Sequence, residues 1–186
     1  MVKQIILIRH AKVLMDNSIK LKASEMMAWV ESYNHAPIEK TLPTQEVIRQ
    51  IKSTNVILAS TLSRTRDSLD VIGVTPKEQN ALFDEADIPQ AKGNFLKLRP
   101  KSWLVILRLM MLVGIGKKSQ SFKASKHRSK EEAAYLHTLS TQHENVVLMG
   151  HGGMNWLMGK ALESLGWELR EKHGANANWS YKVYSF

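Results

Sequence analysis

Two histidines, two arginines and a group of carboxylates stand out in this sequence for where they fall. Arg9 and His10 end the apolar run Ile5-Ile6-Leu7-Ile8, and Ser60 and Arg64 follow Val56-Ile57-Leu58-Ala59. His151 follows Val146-Val147-Leu148-Met149-Gly150. Arginine presents a planar fork of donors that fits phosphate oxygens. A neutral histidine can attack phosphorus and carry the phosphoryl group until water removes it. A second histidine, when protonated, adds a donor to the equatorial oxygens. A carboxylic acid must then protonate the departing oxygen, and Asp84, Glu85 and Asp87 are the candidates. The set suits phosphoryl chemistry.

For these groups to meet, the three apolar runs must lie side by side. Each is a short continuous stretch of the kind buried on both faces of a parallel sheet. Helical patterns separate them. Pro43-Thr44-Gln45-Glu46 opens one that carries Val47, Ile48 and Ile51; another carries Leu62, Leu69, Val71 and Ile72 and ends at Gly73. Met154 to Leu165 is a third, stopped by Gly166. Strands alternating with helices predict an α/β fold, a three-layer sandwich with a mostly parallel central sheet and helices on both faces. Sites in that class form beyond the carboxyl ends of strands.

The remaining stretches carry weaker expectations. Residues 11–40 read as irregular or weakly helical, Ala81–Phe83 as a short extended piece, and Asn55–Ala59 as the full second strand. Pro100 leads an apolar helix over about 102–113, a Gly114/Gly116 break follows, and a polar helix runs from about 120 to 140. Trp179–Tyr184 alternates and reads as a last, edge-like strand. The whole, 1–186, is expected to be one domain with a basic helical cap inserted at about 88–130.

Composition narrows the class further. The 186 residues include 26 Lys+Arg, 17 Asp+Glu and no cysteine. Disulfide scaffolds, thiolate zinc sites, iron–sulfur clusters and cysteine nucleophiles are thereby excluded. The +9 charge is local: residues 88–130 hold 11 Lys/Arg and no acid, among them Lys92, Arg108 and Arg128. Such a patch favours anionic partners, although aromatics are not interleaved with the charges as nucleic-acid binding would require. Trp103–Ile115 contains Arg108 and falls short of the about 20 apolar residues of a membrane span. It reads first as a cap helix closing over a pocket, which suggests a phosphate carried on something partly apolar. Its second reading is an amphipathic helix on an acidic membrane surface, helped by Lys97, Lys101, Lys117 and Lys118. Met1–Gln4 leads into a strand-like run rather than a secretory signal, so the cytoplasm is the expected location.

Four elements carry a family resemblance. Ile6-Leu7-Ile8-Arg9-His10 resembles the Arg-His-Gly opening of the histidine phosphatase superfamily, which includes the phosphoglycerate mutases. Ser60-Thr61-Leu62-Ser63-Arg64 is similar to its Ser-x-Leu-x-Arg element, Phe83-Asp84-Glu85 to its acid motif, and Val147-Leu148-Met149-Gly150-His151-Gly152 to its Gly-His-Gly element. Each alone is weak, but they come in the family's order across residues 5–153. The resemblance implies that His10 is the phosphorylated nucleophile and Glu85 the general acid. Arg9, Arg64 and His151 would bind the phosphoryl group, His151 also serving catalysis. It further implies a small phosphorylated substrate and neither metal nor cofactor.

The departures are specific. Ala11 stands where the family has glycine, and Lys12 and Val13 replace its Glu or Gln and Thr. Asp16 occupies the usual Asn position, which leaves Asn17 as the candidate phosphate contact, and Pro89 replaces a glycine. These changes, with the short chain, point to the phosphatase branch rather than the mutases. Two alternatives stand beside a phosphomonoester hydrolase: a protein phosphohistidine phosphatase, and a non-catalytic phosphate-binding or peripheral membrane module. Arg66 and the histidines 35, 127, 137, 143 and 173 read as surface or core residues, and His137 and His143, six apart, share no helix face.

Overall fold

The computed structural model describes residues 2–54, 56–90, 95–114, 122–175 and 177–186. Asn55, Lys92, Gly116, Lys117 and Lys118, to which expectations were attached, lie outside the described residues. The first apolar run forms β1 (Gln4–Arg9) and the last forms β6 (Asn145–Gly150). They pair in parallel from Gln4 opposite Asn145 to Arg9 opposite Gly150. On the far side of β6 lies β3 (Ile57–Ala59), also parallel, with Ala59 opposite Met149. Because the registers match, the three strands finish at one level. His10 N–H donates to the Gly150 carbonyl (3.1 Å) and Ser60 N–H to that of Met149 (3.4 Å).

Alternate residues of these strands face opposite cores. Ile5, Leu7, Leu58, Val146 and Leu148 pack on α5 (Phe122–Gln142) and α6 (Gly152–Ser164), through Ala133, Leu136, Met158 and Leu162. Ile6, Ile8, Ile57, Val147 and Met149 pack on α2 (Gln45–Ile51) and α3 (Ser63–Val71), through Val47, Ile51 and Leu69. The expected three-layer sandwich is what forms. Thr44 caps α2 through its hydroxyl, and Gly73 ends the turn after α3 at φ 69°, where a side chain would be strained.

Two further strands complete the parallel side and the hairpin. β4 (Glu78–Gln79) pairs in parallel with β3. The C-terminal strand is β8 (Tyr181–Ser185), antiparallel to β1, and it is not an edge. Outside it lies β7 (Glu168–His173), giving the order β4-β3-β6-β1-β8-β7. All six residues of β7 are exposed and only Leu169 is apolar. Backbone pairing with β8, helped by side-chain contacts such as Arg170 to Ser185 (2.8 Å), makes this strand, which no apolar alternation announces, and its charges guard the sheet edge. Ala81–Phe83 is a 3-10 turn rather than an extended piece, because Asn80 turns its side-chain oxygen onto the N–H of Leu82 (2.9 Å).

The region expected as one cap divides in two. α4 (Pro100–Leu112) leaves the sheet and packs on α1 (Met26–His35), with Met26, Trp29, Trp103 and Leu107 in a separate small core. A short pair of strands, β2 (Leu21–Lys22) with β5 (Lys97–Leu98), ties the two stretches together. The Trp103 indole N–H donates to the Leu21 carbonyl (2.6 Å). Residues 122–130, by contrast, open α5, whose later turns lie on the sheet. No helix among the described residues is long and apolar enough to cross a membrane.

Candidate active site

His10 follows the last residue of β1 and is 3 % exposed. Its Nδ1 lies 2.6 Å from the carbonyl of Ala11, which can only accept, so Nδ1 carries the proton and Nε2 keeps its lone pair. Burial, followed by the Arg64 and Arg9 charges, lowers its pKa from 6.5 to about 3, against the opposing bond to Ala11. The ring is neutral at physiological pH, as a nucleophile requires. Asn178 donates to the carbonyls of both His10 and Ala11 (3.0 Å each), which fixes the turn after β1. Ser68 accepts from the Ala11 N–H (2.8 Å) and donates to the Arg64 carbonyl (2.5 Å). This joins the β1 turn to α3.

His151 immediately precedes α6, its ring centroid 5.3 Å from that of His10. Arg64 Nε donates to its Nδ1 (3.3 Å), so the neutral ring holds its proton on Nε2 and donates to Ser60 Oγ (2.7 Å). Burial first, and then Arg64, His10 and Arg9, hold its pKa well below the ordinary histidine value. A phosphoryl dianion beside it would act in the opposite direction and favour the imidazolium. Arg64, 3 % exposed, also donates through Nη1 to Asn34 Oδ1 (2.9 Å), and the Tyr33 ring lies 5.3 Å from its Cζ. Both partners come from α1, in a stretch where the sequence shows little periodicity, so only the fold reveals them as supports of Arg64. On the other side Arg9 lies against the backbone of Gly152: a Cβ there would come within 3.4 Å of its Nε.

The three acids have separate positions. Asp84 is occupied, accepting from the N–H (2.8 Å) and hydroxyl of Thr61, and so clips the acid loop to the end of β3. Asp87 is exposed. Glu85 points at the start of α6, where its oxygens accept from the N–H groups of Gly153 (3.4 Å) and Met154 (3.2 Å). Of the three, Glu85 is the one held over the helix that His151 begins. Asn17 donates its amide to the Met15 carbonyl (2.8 Å), a bond within its own loop. Arg66 pairs with Asp67 and Asp70 on the surface of α3, while His137 accepts from the Trp167 indole N–H (3.1 Å). A surface groove of about 330 Å³ bounded by Pro37, Ile38 and Asp70 contains none of the site residues. The convergence of charge and histidine, rather than concavity, marks the site.

Gly153 is tied to Glu85 by space. A Cβ on it would lie 2.7 Å from Glu85 Oε1, so any side chain must displace that carboxylate. Gly153→Ala is expected to fold normally, since alanine suits a helix better than glycine and the displaced atom ends a flexible chain. Turnover is expected to fall by roughly 10- to 100-fold if the displaced Glu85 carboxylate takes part in it, with melting temperature and kcat measured on the same preparation. An unchanged kcat would show that Glu85 need not sit there.

Beneath the acid loop lies a pair that its sequence context disguises. Arg128 belongs to the basic segment, yet its Nη2 donates to the Asp84 carbonyl (2.6 Å), and its Nε lies 3.4 Å from Glu132, which is 0 % exposed. Burial raises the Glu132 pKa from 4.5 to about 8, opposed by Arg128 and reinforced by Glu85. A carboxyl whose pKa rises on folding stabilises the fold fully below about 4.5 and loses that contribution as pH climbs through about 8. The buried histidines act in the other direction: His10 stabilises above 6.5 and loses its contribution as pH falls toward about 3. Melting temperature is therefore expected to be highest between these limits. Glu132→Gln, which removes this titration, should flatten the fall that wild type shows between about pH 6.5 and 8. Identical slopes in the two proteins would contradict this.

The six-stranded, mostly parallel sheet with three strand ends at one level is an α/β fold that the chain shares with solved structures. Neither a protein-family model nor a curated protein matches the sequence. Among solved structures, the chain is similar to mycobacterial glucosyl-3-phosphoglycerate phosphatase at 16% identity and a TM-score of 0.56, covering 100% of this chain and 91% of that one. It is also similar to phosphoserine phosphatase from Entamoeba histolytica in complex with 3-phosphoglyceric acid, at 19% identity and a TM-score of 0.58, over 97% and 89% of the two chains. A mycobacterial protein described as hydrolase 2 gives a TM-score of 0.61 at 14% identity, over 99% and 82%. At these identities the likeness establishes the fold.

Proposed function

We propose that this protein is a phosphomonoester hydrolase acting through a phosphohistidine on His10. The observation that carries the reading is the meeting of a neutral, buried His10 with Arg9, Arg64 and His151 at three aligned strand ends. Nε2 of His10 attacks phosphorus in line, and the bond from phosphorus to the leaving oxygen breaks. Glu85 gives that oxygen its proton, and the alcohol departs. Glu85, now a carboxylate, takes a proton from water as the water attacks phosphorus. The bond to nitrogen then breaks, releasing phosphate and restoring neutral His10.

In this reading Arg9 and Arg64 hold the phosphoryl oxygens, His151 takes up positive charge against the dianion, and Asn17 contributes after turning from Met15. No metal or cofactor takes part. The fold neighbours named as phosphatases, one for glucosyl-3-phosphoglycerate and one for phosphoserine, support a small phosphorylated substrate. The test is hydrolysis of p-nitrophenyl phosphate in EDTA, with rapid acid-free quenching to capture labelled phosphate on the protein. Turnover with an alkali-stable, acid-labile label on His10 is the expected result. Phosphate binding without turnover would favour the non-catalytic reading instead.

A further inference from the structure

α4 is apolar on two opposite sides. Trp103 and Leu107, four residues apart, face the small core shared with α1, and Met111, four further on, is buried as well. The outer side carries Val105, Leu109 and Leu112, each 55–56% exposed. A helix packed by one face ordinarily turns its polar residues to water, yet the charges of α4 are confined to Lys101 and Arg108. Both lie on the outer side with the apolar three, since Arg108 is three residues after Val105 and four before Leu112.

Arg108 also ties this stripe to the chemistry. Its Nη2 is 3.9 Å from Glu85 Oε2. Glu85 delivers its proton to the oxygen that leaves, so the organic part of the substrate begins at Glu85 and extends away from His10. Arg108 lies on the outer side of α4 with Val105, Leu109 and Leu112 and reaches Glu85, so that side of the helix borders the place where the leaving group departs.

We propose that Val105, Leu109 and Leu112 form a subsite for a hydrocarbon chain on the leaving group, so that the substrate class is amphiphilic phosphomonoesters. The assignment rests on the phosphatase reading above. Arg108 keeps the Glu85 end of the stripe polar, and the stripe shields the chain from water. Each methylene moved from water onto the stripe improves kcat/KM by up to about fourfold, the equivalent of about 0.8 kcal/mol.

The experiment measures kcat/KM for straight-chain alkyl phosphates from ethyl to octyl, below their micelle-forming concentrations, with p-nitrophenyl phosphate alongside. The protein is wild type or the triple variant Val105→Ser, Leu109→Ser, Leu112→Ser. Wild type is expected to prefer octyl over ethyl phosphate by on the order of 100-fold, and the triple variant to lose most of that ratio. All three replaced side chains are exposed, so the fold should tolerate them, which circular dichroism checks. A flat series in wild type, with p-nitrophenyl phosphate still hydrolysed, overturns the subsite and leaves the phosphatase reading standing. A slope that survives in the triple variant overturns the assignment to α4. If the stripe instead holds a second copy or a vesicle, sedimentation or liposome binding changes between the two proteins while the series stays flat, which also overturns it. Absence of turnover on every phosphate overturns the phosphatase reading itself.

Discussion

Replacing His10 by alanine is expected to abolish turnover, lowering kcat by on the order of 10⁴-fold or more, as the loss of a covalent nucleophile does. The fold should survive this change. The ring removed is neutral and buried, and its one hydrogen bond goes to the Ala11 carbonyl, which keeps the Asn178 amide as a partner. The variant should also stay folded further into acid, because a buried imidazole no longer has to take up a proton as pH falls toward about 3. Turnover, circular dichroism and acid unfolding on one preparation check all of this. A His10→Ala protein that still hydrolyses p-nitrophenyl phosphate within tenfold of wild type would end the phosphohistidine mechanism. The label trapped on wild type should vanish in the variant.

The second large effect belongs to Glu85. Glutamine keeps an oxygen to accept from the Gly153 and Met154 N–H groups, so Glu85→Gln should leave the side chain where it is while removing the transferable proton. A positioned acid contributes about 10²–10⁴-fold, but only where the leaving oxygen needs a proton. Alkyl phosphates, which release a strongly basic alkoxide, should therefore lose kcat by that factor. p-Nitrophenyl phosphate, whose phenolate leaves unaided, should lose much less in the first step and accumulate phosphoenzyme, since the second step also uses Glu85. A burst of nitrophenol followed by a slow steady state is the expected trace. Equal losses on both substrates, with no burst, would remove Glu85 from the acid role. Asp84 is not a ready substitute: its carboxylate is held by Thr61, and removing it should loosen the loop rather than supply a proton.

Much of the site was written locally. Runs of four or five apolar residues bounded by polar ones fit strands buried on both faces, and residues at the ends of such strands meet when the sheet is parallel. That reasoning placed Arg9, His10, Ser60, Arg64 and His151 at one edge before any coordinates, and the registers of β1, β3 and β6 bring those ends level. β7 was not legible, because Glu-Leu-Arg-Glu-Lys-His has no apolar period and becomes a strand through its pairing with β8. For the same reason Trp179–Tyr184 read as an edge, although the strand lies inside the sheet. The turn at Ala81–Phe83 escaped notice because a side-chain bond from Asn80, not hydrophobic spacing, decides it.

What sequence alone determined was the chemical inventory and its place along the chain, since residue type sets what a side chain can donate, accept or attack. Tertiary structure decided protonation and partnership. That His10 is neutral follows from burial beside two arginines, and that Arg64 is braced by Asn34 and Tyr33 follows from α1 folding across α3. That Arg128 grips the acid loop, rather than coating a solvated helix, depends on where α5 passes. Such properties depend on distance through space and on access to water, and neighbours along the chain specify neither.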